Sequence, residues 1–211
     1  MFSSLFNDPV MFLLWGVALI VAITVHEFAH AWMADRLGDP TAKLAGRLTL
    51  NPLRHLDLVG TLLLFIMHFG WGKPVPVDPF NLRNPRRDNA VISLSGPASN
   101  ILTAVICSLI LRLLIASSLS VASIILVPII VMCINLAIFN LIPIHPLDGF
   151  AVVEGLLPEE AARQWHQLQS LGVIMLLVLV FPLFGSSPVL SAITPVINML
   201  IAILIPQVPV M

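Results

Sequence analysis

Residues 9–34 are apolar almost throughout. The run exceeds the roughly 20 residues that a membrane-spanning helix needs. Pro9 suits the first turn of that helix, and Gly38 with Pro40 ends it. Residues 41–57 are polar and irregular, but Leu44, Gly46, Leu48 and Leu50 fall on alternate positions and predict a short strand. Asn51-Pro52 then marks a turn. The apolar run at 58–70 is too short to span and predicts a re-entrant segment. Residues 71–89 form a loop with four prolines and four basic residues. Residues 90–116 predict a second span, opening with "SLSGPASN" at 93–100, whose small residues permit close helix contact. A third span covers 121–142 and stops at Pro143; residues 143–167 read as a polar loop with an acidic turn at Glu159 and Glu160. Two uncharged spans, 168–184 and 187–205, follow, separated by Pro182 and Gly185.

The pattern predicts an all-α polytopic membrane protein. It has five transmembrane helices, a re-entrant segment and a short membrane-associated β element. All 211 residues form one membrane-embedded domain, with a core at about 10–155 and two C-terminal helices at 168–205. Composition agrees: 58% of residues are hydrophobic and 10% charged, against about 25% charged in a soluble domain. Mean hydropathy is +1.01. A net charge of −1 argues against a nucleic-acid-binding surface. The two cysteines, Cys107 and Cys133, lie in apolar runs without a CxxC pattern and read as small buried hydrophobes. The first basic residue is Arg36, so the first apolar run lacks a signal peptide's positive n-region and reads as a retained anchor.

Eight of the ten Lys and Arg residues lie between 36 and 87. The positive-inside rule therefore places 35–57 and 71–89 in the cytoplasm. That is consistent only if 58–70 enters and leaves on one side. The N-terminus is then outside and the C-terminus inside a plasma or inner membrane.

Within the first span, His26-Glu27-Phe28-Ala29-His30 matches H-E-x-x-H. Residues i and i+4 share a helix face, so both imidazoles can reach one Zn²⁺, with Glu27 beside them as general base. The alternative is a histidine pair hydrogen-bonded to neighbouring helices. Ionisable groups inside a span point to function. A catalytic zinc takes three protein ligands, and the candidates for the third are Asp57, His68, His145 and Asp148. His145 and Asp148 lie in "NLIPIHPLDGF", residues 140–150. Pro143 and Pro146 interrupt the helix there, and Gly149 allows a tight backbone beside the carboxylate. In the re-entrant topology Asp148 reaches the same cytoplasmic end as the histidines. With 58–70 fully spanning, it would emerge about 30 Å away.

HEFAH on an early span, "SLSGPASN" and "NLIPIHPLDGF" together resemble the site-2 protease family of intramembrane zinc metalloproteases. "GRLTLNPLRHLDLVGT" and "WGKPVPV" resemble its compact bacterial branch, without a PDZ insertion or nucleotide-sensing tail. The resemblance covers roughly residues 10–155. It implies one zinc per chain held by His26, His30 and Asp148, with Glu27 as base, and Asn140 holding the substrate or its developing oxyanion. From the residues alone, Asn140 could equally make a helix-packing hydrogen bond, and His145 either lines the site or caps its loop. His55 and Asp57 read as structural hydrogen-bonding groups, and His68 and His166 as interfacial. Trp15, Trp32, Trp71 and Trp165 read as packing or interface anchors, and Arg83, Arg86 and Arg87 as a headgroup-facing cluster. The implied reaction is peptide hydrolysis in the membrane. The substrate would be a single-span protein, such as an anti-sigma factor, unwound locally and paired onto the Leu44–Leu50 strand. The competing readings are a proteolytically inactive membrane-binding relative and a metal transporter.

Overall fold

A computed structural model describes residues 8–57, 60, 72–116, 123–180 and 187–206. Its helices are α1 (Pro9–Leu37), α2 (Thr41–Leu44), α3 (Pro85–Ala116), α4 (Ser123–Asn140), α5 (Asp148–Leu156), α6 (Glu159–Gln167), α7 (Gln169–Val180) and α8 (Pro188–Leu204). Two 3₁₀ turns, Pro52–Arg54 and Pro79–Asn81, lie between α2 and α3.

The ends of α1 are written in its sequence. The Asp8 carboxylate accepts the Met11 N–H at 3.0 Å and Pro9 takes the first turn. Gly38 closes the helix at φ 107°, a left-handed conformation that glycine adopts without strain. α1 and α3 are long and apolar enough to cross a membrane; α4, α7 and α8 are shorter apolar helices. α1 buries Ala18, Ala22, Ala29, Ala31 and Ala34. Such a stripe lets backbones approach closely, which is how helices pack when lipid removes the hydrophobic driving force. α1, α3 and α4 pack mutually, α5 lies against α3, and α8 covers α4. Ala22, Ala104, Leu111, Ile130, Cys133, Ile134 and Ile197 form the core between them.

The described residues contain no strand, which corrects the β element expected at Leu44–Leu50. Residues 41–44 are helical and 45–50 are turn and bend. Gly46 sits at φ 69°, and the alternation is inverted: Leu44 and Leu50 are exposed while Arg47 is buried. Arg47 turns inward because the carbonyls of Lys73 and Pro74 accept its guanidinium hydrogens. Residues 143–167 are likewise not one loop; they carry α5 and α6. The re-entrant segment expected at 58–70 lies outside the described residues apart from Gly60, whose N–H donates to Asp57 at 2.8 Å. His68 and Trp71 also lie outside them.

Buried polar side chains organise the 39–57 and 72–81 segments. The Asp39 carboxylate accepts from the Thr41 N–H and hydroxyl, the Asp78 N–H and the Asn81 amide. Burial pushes this carboxyl up, and those hydrogen bonds outweigh it, holding Asp39 below the ordinary carboxylate range. His55 is fully buried and its Nε2–H donates to the Thr49 carbonyl at 2.7 Å, the structural role read from the sequence. Lys73 N–H donates to the His55 carbonyl at 2.8 Å, and Leu56 pairs with Gly72 in an antiparallel bridge.

Candidate metal centre

His26 and His30 project from one face of α1, their rings 4.6 Å apart and nearly perpendicular. Both are buried. Asp148 arrives at the first position of α5, placing Oδ2 3.0 Å from His26 Nε2 and 3.4 Å from His30 Nε2. Gly149 makes that approach possible, because a Cβ there would overlap the carbonyls of Leu141 and Ile142. One ligand atom from each of the three residues falls within 4.8 Å of the others.

The surroundings fix which ring nitrogens face inward. His30 Nδ1–H donates to the Ile92 carbonyl at 2.7 Å, leaving the Nε2 lone pair aimed at Asp148. His26 Nδ1 lies 3.2 Å from the Asn100 side-chain amide. Asn100 is fully buried and its Oδ1 has no partner among the described residues. With its amide turned by half a revolution, Oδ1 accepts the His26 Nδ1 proton and leaves that Nε2 free as well. Asp148 Oδ2 is also buried without a hydrogen-bond partner. Three lone-pair-bearing atoms then converge with no proton among them, which is repulsive unless a cation sits at their focus. Two imidazoles and a carboxylate are a zinc donor set, and ring N–H groups bound to a carbonyl and an amide are the outer support such ligands need. The residues therefore fit one Zn²⁺.

Sequence reading missed this outer support. Gly96 and Asn100 stood in "SLSGPASN" as small helix-packing positions, yet they face the imidazoles one helical turn apart. Asn100→Ala is expected to weaken zinc binding by about 10–100-fold, the usual cost of removing an outer-shell partner. Competitive titration against a zinc chelator measures it.

Glu27 neighbours the ligands, and its Oε2 is buried and accepts no hydrogen bond among the described residues. Arg47 Nη2 stands 3.9 Å from that oxygen. A Cβ at Gly72 would stand 3.8 Å from Glu27 Oε1, so the chain at 72–77 passes beside the base. The other sequence candidates are placed differently. The Asn140 amide donates to the Leu136 carbonyl of its own helix at 3.0 Å. His145 does two things: it faces the Gln169 amide at 3.3 Å and lines a cavity that reaches Asp148. Asp57 caps Gly60. His166 faces Glu154 at 3.0 Å. Trp165 stacks on Phe150 and donates to its carbonyl, while Arg36 lies 5.1 Å over the Trp32 ring.

No protein-family model matches the chain, and no solved structure matches it. Curated relatives do. A Bacillus subtilis protein named "Putative zinc metalloprotease YwhC" is 38% identical over 177 residues, covering 81% of each chain. A Mycobacterium tuberculosis protein named "Putative zinc metalloprotease Rip2" is 32% identical over 166 residues, covering 76% of this chain and 63% of the relative. The name of each relative carries the metal that the His26–His30–Asp148 geometry fits, and the alignment with the first is long enough to settle kinship: the chain belongs to the site-2 protease family of zinc metalloproteases.

Proposed function

We propose that this chain is an intramembrane zinc metalloendopeptidase that hydrolyses peptide bonds within or near the transmembrane segment of single-span substrates. The observation that carries the reading is the meeting of His26, His30 and Asp148, with Glu27 beside them, on a helix apolar enough to lie in lipid. We read the chain as a multi-pass plasma- or inner-membrane protein with five spans, its N-terminus outside and its site towards the cytoplasm.

Zn²⁺, when bound, acts as a Lewis acid and brings the pKa of water to about 7. The residues do the rest. His26, His30 and Asp148 would hold the ion. Glu27 accepts the proton of the attacking water as the new C–O bond forms and the carbonyl opens, and then returns it to the amine nitrogen as the peptide C–N bond breaks and the carbonyl closes. Its Oε2 accepts no hydrogen bond among the described residues and has Arg47 Nη2 at 3.9 Å. Arg47, hydrogen-bonded to the Gly72–Val77 segment, keeps a positive charge near that carboxylate. Asn140 retains a second amide hydrogen, which we assign to the substrate carbonyl. With residues 45–50 in turn and bend, we assign an unwound substrate to the segment at 72–77, which passes beside Arg47 and Glu27. Such a substrate is a single-span protein, an anti-sigma factor being one example.

The test compares purified wild type with Asp148→Ala. Wild type is expected to hold one zinc per chain and to cut a single-span reporter in vesicles. The variant is expected to lose both. A folded wild type with no zinc, or a variant with full zinc, sinks the reading.

A further inference from the structure

A cavity of about 250 Å³ opens beside the metal centre, its lining including Ser93, His145, Asp148, Glu154, His166 and Gln169. Nothing in the proposed proton transfers uses Glu154 or His166. They nonetheless form a His–carboxylate pair with Nδ1 and Oε1 3.0 Å apart, on the wall of the cavity that ends at a zinc ligand. The lining is graded: the Asp148 side chain is 17% exposed, Glu154 21% and His166 62%. His145, half-buried three residues before Asp148, lines the same space. Burial, and then the neighbouring His166, hold the His145 imidazole below the ordinary histidine range, so a neutral ring nitrogen is available there.

A divalent cation cannot reach buried ligands through hydrocarbon, and a bare ion in a narrow polar passage needs replacement ligands as it sheds water. Imidazole and carboxylate are the right ones for zinc. We propose that Glu154 and His166 form a transient docking site for Zn²⁺, from which the ion passes along His145 to Asp148 and the two histidines of α1. The inference rests on the zinc metalloprotease reading.

A docking site on a route has a signature that a ligand lacks. The free ion and the final site are unchanged by its removal, so the equilibrium affinity stays fixed. Detailed balance then requires entry and exit to slow by the same factor. The experiment uses full-length protein in detergent, stripped of metal with a chelator. Zn²⁺ uptake is followed with a fluorescent zinc indicator, and release with excess chelator. In the double variant Glu154→Gln, His166→Ala, uptake and release are both expected to slow by about tenfold, the lower end of what charge-lined clefts add to on-rates. Final stoichiometry and dissociation constant are expected to match wild type. Arg163→Ala, on the same helix and off the lining of this cavity, is expected to leave both rates unchanged. Equal rates in wild type and double variant overturn the proposal, as does a weakened affinity, which makes the pair part of the final site or of the fold. A folded wild type that takes up no zinc overturns the metalloprotease reading itself.

Discussion

Glu27→Gln is expected to lower peptide hydrolysis by on the order of 10²–10⁴-fold, the range that a positioned general base contributes. Glutamine keeps the length and shape of the side chain, so α1 and the Arg47 lobe keep their packing. What it removes is the capacity to take a proton at an oxygen that meets no donor among the described residues. Because the metal's ligands lie on His26, His30 and Asp148, zinc content is expected to remain at the wild-type value. Cleavage of a single-span reporter and metal analysis of the same preparation decide the matter. A fall smaller than about tenfold would remove Glu27 from the role of base.

Gly96→Ala is expected to be as damaging, by a different route. Alanine is favoured over glycine inside a helix by about 1 kcal/mol, so α3 itself gains. The added methyl carbon, however, would stand 2.5 Å from His30 Nε2 and 2.7 Å from His26 Cε1. Real carbon atoms do not approach so closely. Both imidazoles sit on a packed helix face and have nowhere to retreat without losing Ile92 or Asn100 as partners. We expect zinc affinity to fall by at least the roughly 10–100-fold that follows loss of outer-shell support, with the helical circular dichroism signal preserved. Wild-type zinc affinity in this variant would show that α3 can move away from the histidines, and the close packing described above would be wrong.

What could be read from the sequence was whatever depended on local spacing. His26 and His30 are four apart, and a helix of any packing puts them on one face. Pro9 and Gly38 bound α1 through backbone requirements that neighbours cannot override. The Leu44–Leu50 alternation failed because a period of two says only which residues share a side. It does not say that a buried guanidinium at Arg47 will claim the carbonyls of Lys73 and Pro74. Asn100 and Gly96 were missed for a related reason. Their roles depend on α3 lying against α1, a contact between residues 66 to 74 apart, and a small residue in an apolar helix looks alike whether it faces lipid or an imidazole. The 143–167 segment reads as a loop because prolines and charges mask two helices of nine residues each.

The pairing of Leu56 with Gly72 carries a consequence for depth. Two residues held in a backbone bridge occupy the same depth relative to any bilayer around the protein. Leu56 and Gly72 therefore face the same side of any such bilayer. Under the proposed multi-pass topology, α3 then begins on the side where α1 ends, and the two helices run in opposite directions. In that topology the relative direction of α1 and α3 follows from one backbone bridge, held by the Lys73 N–H on the His55 carbonyl, independently of where the positive charges fall.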